Sequence, residues 1–338
     1  MISHHSATIF PDCPQGVTRA GEWRARGGGC LLAERRDRLG WVAVSKRAKT
    51  PRGRSTDGEK RQKIRDVYVG RPFEGLVDEP EWIALRELVP AASAPLKLAP
   101  DLVEQYGDRP VILATVLPMA WPAMTKPDGR VFIGLQRHVQ SGDVSRDLAV
   151  ALQCALDTPT GKTVNIPALP GVGPRLQDVI VNAPLDITVH TGFEFWLEDN
   201  ATDDPNVRAS LERANASIFP TVRLSAAPAT YWCRVTDRSH VRLVLGDDED
   251  RALDALSRLS AGGGLLLGDN TKFAGMFRAH GLLAPVWDLP LEVEAEEWEA
   301  PVAEFSKRYA EALAVTEPLT AAERRSKQGL LGRLQPLR

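Results

Sequence analysis

The alternation of apolar and polar residues along the chain predicts short helices and strands. Apolar residues of 82–89 recur at helical spacing, which predicts a helix with one buried face. The run 110–117 is rich in β-branched residues and predicts a buried strand. Residues 121–135 predict a β-hairpin around the turn Lys126 to Gly129, and 146–156 predict a second helix.

A similar order of patterns returns later in the chain. Residues 209–214 predict a helix, the segments beginning at Tyr231 and Val241 predict a hairpin, and 250–259 predict the helix after it. A third, partial copy keeps a helix over 273–280 and a following strand. Repeated units arise because one unit cannot cover its own apolar face. We therefore predict an α+β fold of two similar helix/antiparallel-sheet/helix units plus a partial third unit.

Shifts in composition set the predicted boundaries of these units. The predicted parts are a disordered basic arm (1–70), a first α+β unit (71–160), a linking loop and strand (161–205), a second α+β unit (206–262), a partial third unit (263–316) and a polar C-terminal tail (317–338). Within the link, the alternation over 185–196 predicts one long strand. A last helix is predicted over 302–313.

Charge is divided unevenly along the chain. Residues 1–71 carry 16 Lys+Arg against 7 Asp+Glu, whereas residues 72–338 carry 26 against 37. Residues 44–70 contain too few apolar side chains to offset the entropy of ordering, so we expect a flexible arm. Residues 1–43 follow no helix or strand period, and we expect a start-site artefact with the true start at Val44. The candidate anion-binding residues of the arm are Lys46, Arg47, Lys49, Arg52, Arg54, Lys60, Arg61, Lys63 and Arg65.

Cysteine usage and hydropathy limit the class of protein. The four cysteines lie far apart with no Cys-x-x-Cys pairing, which is typical of a reducing compartment. Cys154 and Cys233 occupy apolar positions and are predicted to act as small hydrophobes. No run is long and apolar enough to cross a bilayer, so we expect a cytoplasmic protein. Neither a metal site nor a cofactor is predicted.

Two glycine-containing segments resemble phosphate-binding devices. Pro170 to Arg175 resembles the turn of a helix-hairpin-helix element, whose backbone amides approach phosphate oxygens, but no first helix precedes it. The alternative is a rigid loop before a short helix. Gly161-Lys-Thr163 lacks the earlier glycine of a phosphate-binding loop.

Acidic and histidine residues supply weaker signals. Asp247 to Asp250 precede a predicted helix and are interpreted as its N-terminal cap rather than as a cation site. His190 and Glu194 stand four apart in a strand pattern, so they are expected to share a face. They could act as a general base and its partner, although a hydrogen-bonded surface pair is the simpler interpretation.

The candidate binding residues come from the predicted repeat. Trp121, Trp232 and Trp287 hold similar places in the three units and could line a shared groove for a peptide or ligand, or could equally be repeated core residues. Arg278 and His280 precede Gly281 at the end of a predicted helix, a position that suits basic residues.

Several segments identify the chain as similar to a known family. They are Arg71-Pro-Phe-Glu-Gly-Leu, Trp82-Ile-Ala-Leu-Arg-Glu-Leu-Val-Pro, Ser141-Gly-Asp, Gly173-Pro-Arg-Leu-Gln-Asp, Ser210-Leu-Glu-Arg-Ala-Asn-Ala, Tyr231-Trp-Cys-Arg, Gly275-Met-Phe-Arg-Ala-His-Gly-Leu and Val286-Trp-Asp-Leu-Pro. Over roughly residues 70–338 the chain resembles an actinobacterial family of unknown function, whose members often carry automatic labels such as preprotein translocase SecA or topoisomerase. The chain has no Walker loop, zinc motif or catalytic-tyrosine context to support either label. The helix and strand order also distantly resembles SseB-like α+β modules.

The sequence favours a binding protein over an enzyme. The first hypothesis is an uncharacterised, non-enzymatic protein-binding or adaptor module, with the basic arm as a tether to an anion such as RNA or the membrane surface. A second is a nucleic-acid-associated protein that uses the arm together with Pro170 to Arg175. A third is an enzyme of unknown reaction that uses His190 or His280 in a cleft between the units.

Overall fold

A computed structural model describes residues 67–197 and 204–336 of the chain. The helices are α1 (Glu79–Glu87), α2 (Pro100–Tyr106), α3 (Val144–Asp157), α4 (Leu176–Val179), α5 (Pro205–Asn215), α6 (Glu249–Ala261), α7 (Glu299–Ala314) and α8 (Ala321–Leu331). The strands are β1 (Ala92–Leu96), β2 (Val111–Val116), β3 (Ala123–Thr125), β4 (Val131–Gln136), β5 (Thr188–Val189), β6 (Thr221–Arg223), β7 (Thr230–Val235), β8 (Arg238–Leu243), β9 (Lys272–Ala279), β10 (Leu282–Leu289) and β11 (Leu334–Pro336). The predicted α+β class is confirmed.

The strands form two sheets. Sheet 1 has the order β3-β4-β2-β1-β5, and sheet 2 has the order β11-β9-β10-β8-β7-β6. Both sheets are mixed rather than purely antiparallel as predicted, because β2 runs parallel to β4 and β11 runs parallel to β9. In sheet 1 the parallel pair arises because the β3–β4 hairpin places its second strand beside β2. Each predicted unit holds a helix, strands and a second helix, but their strand orders differ, so the duplication stays a prediction.

Two buried layers hold these sheets. Helix α1 packs against both sheets, since its Ile83 and Leu85 share one apolar cluster with Leu113 of sheet 1 and Tyr231 of sheet 2. Helix α3 covers the same side of sheet 1. The opposite side of sheet 2 packs under α6 and α7 in a second cluster. Both faces of sheet 2 are therefore covered by helices.

Local signals explain most of the elements. Asp143 caps α3, because its side chain accepts a hydrogen bond from the Arg146 amide at 3.2 Å. Asp248 caps α6 by accepting from the amides of Asp250 and Arg251, so the capping interpretation of that acidic run is confirmed. The hairpin around Lys126 to Gly129 is also confirmed, with the Gly129 amide donating to the Lys126 carbonyl at 3.0 Å.

Two predicted elements are wrong. The predicted helix over 273–280 is replaced by strand β9 (Lys272–Ala279), because His280 (φ 47°) and Gly281 (φ 85°) make a tight two-residue turn into β10. Ala274 and Met276 favour a helix in isolation, but the pairing of β9 with β10 outweighs this local helix propensity. The long strand predicted over 185–196 is reduced to β5, and Glu194–Trp196 forms a 3₁₀ turn instead. Its aromatic side chains pack together on sheet 1 rather than alternating between two faces.

The segment predicted as a polar tail contains regular structure. Helix α8 begins with a capping box between Thr320 and Glu323. Strand β11 then pairs with β9 at the margin of sheet 2. The sequence did not predict this helix, because most of its residues are polar and exposed and Leu330 is the buried residue of α8. Its apolar face is therefore too narrow to give a helical pattern.

Candidate functional site

The three candidate tryptophans do not line a common groove. Trp287 is 0% exposed, and its indole N–H donates to the Leu265 carbonyl at 2.9 Å inside the core. Trp232 is also buried, and both side chains flank Val241 on the face of sheet 2 that α6 and α7 cover. Trp121 lies in the connection between β2 and β3 of sheet 1 and is 46% exposed. The shared-groove prediction is corrected accordingly, because cross-strand neighbours that point to one face pack as a core row.

Arg278 and His280 lie on a hairpin rather than at a helix end. Arg278 is half exposed and pairs with Glu249 of α6, with 2.7 Å between its Nε and a carboxylate oxygen. His280 occupies the β9–β10 turn and reaches α1, where its Nε2 lies 2.8 Å from Glu87 Oε1 and 3.1 Å from Arg86 Nε. Phe73 packs edge-on against its ring. The turn is thereby fixed to the end of α1.

Four polar residues, Arg86, Glu87, Gln140 and His280, form a partly buried group that we name the Arg86 cluster. The buried Arg86 guanidinium donates to the Leu135 carbonyl and to Gln140, and its Nε lies 3.0 Å from Glu87 Oε1. Burial lowers the pKa of Arg86 despite the nearby carboxylates. Burial opposes the charge of Glu87 too, but the hydrogen bond with His280 and the charge of Arg86 outweigh it and lower the Glu87 pKa.

Acid is expected to weaken this cluster. A carboxyl with a lowered folded-state pKa adds stability above its unfolded pKa of about 4.3, and that stability is lost as pH falls through the folded value. The free energy of unfolding should therefore decrease as the pH is lowered beneath about 4.3. In Glu87→Gln the free energy of unfolding should depend less on pH over this range. Urea titrations from pH 3 to pH 7 would measure it. Glu104→Gln, which changes an exposed carboxylate of α2, is the control; equal flattening in both variants would contradict the assignment.

Glu81 was not singled out by the sequence, yet it makes a buried polar junction between α1 and sheet 2. Its side chain is 2% exposed and accepts hydrogen bonds from Arg223 Nη2 at 2.6 Å, the Ala229 amide at 3.0 Å and the Tyr231 hydroxyl at 2.7 Å. Burial and the Glu81 charge raise the pKa of Tyr231, which keeps that phenol protonated. This junction fixes α1 against β6 and β7.

The outer face of sheet 1, opposite α1 and α3, holds a serine–histidine pair. Ser93 alternates with Ala92 and Ala94, which point into the core, so its hydroxyl points outward. Ser93 Oγ lies 2.8 Å from His190 Nε2. The His190 amide also donates to the Ala91 carbonyl at 2.8 Å, which ties the segment after β5 to β1.

His190 is held in a defined environment. Its ring stacks on Phe195 with centroids 4.3 Å apart. Burial lowers the pKa of His190, and the negative charge of Glu194 partly offsets this. Glu194 in turn accepts from Asn215 Nδ2 at 2.8 Å, while Asn215 Oδ1 accepts from the Phe193 amide at 2.9 Å. The predicted proximity of His190 and Glu194 thus arises from a 3₁₀ turn, not from strand alternation.

Aromatic side chains lie beside this pair on the outer face. Phe193 and Trp196 stack with centroids 4.0 Å apart, and the Trp196 indole N–H donates to the Val116 carbonyl at 2.9 Å. At the rim, Met119 is 70% exposed beside the partly exposed Trp121. Met119 (φ 54°) and Ala120 (φ 47°) are consecutive left-handed residues, a conformation that costs energy in residues other than glycine.

The segment predicted as a phosphate-binding turn surrounds an arginine instead. Arg146 of α3 donates to the carbonyls of Pro170, Gly171 and Pro174 at 2.8–3.2 Å. A Cβ at Gly173 would lie 2.3 Å from the Arg146 guanidinium, so the loop backbone passes directly against the end of this side chain. The following helix, α4, spans four residues. These contacts support the alternative interpretation, a rigid loop.

Other predicted features differ in what can be said of them. The basic residues from Lys46 to Arg65 lie outside the described residues. Burial raises the pKa of Cys154 and Cys233, which agrees with thiols that act as small hydrophobes. Within residues 67–197 and 204–336, no group of three His, Cys, Asp or Glu side chains could hold a metal ion. No helix in the same part of the chain is long and apolar enough to cross a membrane.

Comparison with known proteins assigns the chain to a family. The profile of a family of unknown function (DUF5926) matches residues 72–338, so the chain belongs to that family. The matched part covers both sheets, the Arg86 cluster and the outer face of sheet 1. No curated protein and no solved structure matches the chain.

Proposed function

We propose that this member of the DUF5926 family is a protein-binding module that contacts its partner through Met119 and Trp121. Methionine and tryptophan are enriched at protein interfaces, and both side chains stand out at the rim of the outer face. The rim is held in an unfavourable backbone conformation, which native proteins retain mainly where it serves a function. The observation that carries the proposal is the exposure of both large apolar side chains on this strained connection.

The surrounding structure supports a rigid binding surface. A Cβ at Gly134 of β4 would lie 2.9 Å from the Trp121 carbonyl, so the connection rests directly on the sheet. Trp196 is anchored by its indole hydrogen bond, and Lys126 Nζ donates to the Trp196 carbonyl. A preorganised surface loses little side-chain freedom on binding. The matching partner would present an apolar pocket that receives the Met119 and Trp121 side chains.

The basic arm is proposed as a tether beside this module. Its charge contrasts with the acidic remainder of the chain and suits a polyanion. The described residues that follow the arm, 67–71, are attached to the folded part of the chain. The Val69 amide donates to the Gly142 carbonyl at 2.8 Å. A Cβ at Gly281 would lie 3.2 Å from the Gly70 carbonyl, so the segment 67–71 also contacts the β9–β10 turn. The cytoplasmic location stays a prediction.

Affinity capture from the native cell tests both parts of the proposal. The double variant Met119→Ala/Trp121→Ala should lose the captured partner by at least about tenfold, as expected for truncated interface anchors. A chain without residues 44–66 should keep the partner but lose salt-sensitive sedimentation with ribosomes, nucleoid or membranes. Val172→Ala is the matched control, because Val172 is a fully exposed apolar residue on the Arg146 loop. Equal capture by the double variant and the control would reject Met119 and Trp121 as the contact.

A further inference from the structure

We propose that Ser93 and His190 form a nucleophile–base pair that accepts acyl groups from esters with an apolar acyl chain. This activity would be separate from partner binding. The distance of 2.8 Å between Ser93 Oγ and His190 Nε2 is within the range of working nucleophile–base pairs. Both side chains are half-buried on the outer face of sheet 1, where a reagent can reach them.

The surroundings of His190 suit a general base. When the ring proton sits on Nδ1, Nε2 accepts the hydrogen bond from the Ser93 hydroxyl. Stacking on Phe195 and the amide hydrogen bond to Ala91 hold the ring in place. Because burial lowers its pKa, the imidazole is neutral at pH 7 and can take a proton. The negative charge of the nearby Glu194 carboxylate stabilises the imidazolium that then forms.

Neighbouring groups define the type of substrate. The partly buried side chains of Phe195 and Trp196, packed on the buried Phe193, provide an apolar surface for an acyl chain. An ester with a charged acyl group would gain nothing from this apolar surface.

The reaction balances without a cofactor. Ser93 Oγ attacks the ester carbonyl carbon while its proton moves to His190 Nε2. The tetrahedral intermediate then expels the alcohol, which takes that proton as the C–O bond breaks. Water, deprotonated by the same nitrogen, attacks the acyl-serine, and the acid and free Ser93 are released.

Fluorophosphonate labelling of the full-length protein, with the modified peptide sequenced by mass spectrometry, tests the pair. We expect an adduct on Ser93, no adduct in Ser93→Ala, and labelling at least about 100-fold slower in His190→Phe, which keeps a ring to stack on Phe195. Ser210→Ala, at an exposed serine of α5, should label like the native chain. The midpoint of the acid loss of labelling should lie below the ordinary imidazole pKa of about 6.5, because burial lowers the His190 pKa.

Two results would overturn the proposal. The first is that Ser93 remains unlabelled in native protein whose cooperative thermal unfolding shows that it is folded. The second is that Ser93 is labelled at the same rate in His190→Phe as in the native protein. If Ser93→Ala does not fold, the comparison of native protein with His190→Phe still decides. Hydrolysis of p-nitrophenyl butyrate gives a second readout. Partner capture by the Ser93 variant should equal that of native protein, so failure of this activity is distinguishable from failure of partner binding.

Discussion

Replacing Glu81 by alanine is expected to lower the free energy of unfolding by about 3–5 kcal/mol, the cost of removing one member of a buried charged network. The change would leave the Tyr231 hydroxyl and the Ala229 amide without their acceptor and Arg223 without its counter-ion. The buried Tyr231 hydroxyl and Ala229 amide would then be desolvated without compensation, whereas the Arg223 side chain is 39% exposed and can be hydrated. Urea denaturation followed by tryptophan fluorescence would measure the loss.

Two further variants separate the charge of Glu81 from its packing. Glu81→Gln keeps the shape and one acceptor oxygen, so it should lose less stability than Glu81→Ala. Tyr231→Phe removes a single hydrogen bond and should cost about 1–2 kcal/mol. In a double-mutant cycle, Glu81→Ala and Tyr231→Phe should be non-additive, because they remove the same contact. Additive losses would show that Glu81 acts independently of Tyr231.

Replacing Trp287 by alanine is expected to cost about 3–5 kcal/mol, as for other buried aromatic residues. Its ring packs edge-on against Phe305 of α7 at 4.8 Å and against Phe273 of β9 at 5.8 Å. The cavity would lie where α7 joins sheet 2, and the Leu265 carbonyl would lose its donor. Thermal unfolding by calorimetry would measure the effect.

Trp121→Ala is the matched control for Trp287. It removes the same side chain from an exposed site, and surface substitutions usually change stability by less than about 0.5 kcal/mol. A comparable loss in the two variants would mean that Trp121 supports the fold as much as Trp287 does. The comparison therefore also tests whether Trp121 is free to contact a partner.

Local patterns predicted those elements whose signals lie within a few residues. The helical spacing over 82–89, the Pro-Asp-Gly turn and the acidic cap of α6 each act locally, and each matches the structure. The strand β9 was missed because its residues favour a helix in isolation and become a strand only by pairing with β10. Sheet order was likewise unpredictable, since β2 and β4 are adjacent in space although β3 separates them in sequence.

The candidate sites depend even more on distant contacts. In the sequence, Glu81 has the pattern of an ordinary acidic residue in the first turn of a helix. Arg223 and Tyr231 lie more than 140 residues away in the chain and contact Glu81 only in the folded protein. The Ser93–His190 contact spans 97 residues, so no local motif could indicate it. His190 itself was predicted as a candidate, because a histidine beside an acidic residue is a recognisable signal. Its partner was not, because Ser93 sits among alanines in an unremarkable strand.

Strand β11 has a consequence for how sheet 2 behaves in crowded solution. An exposed edge strand can pair with strands of other chains and so cause aggregation. Strand β9 has eight residues and is long enough for such pairing. Parallel pairing with β11 occupies that margin. Gly275 makes the close approach possible, since a Cβ there would lie 2.8 Å from the Arg333 carbonyl. Resistance to self-association on this side thus depends on one short terminal strand and on the glycine beside it.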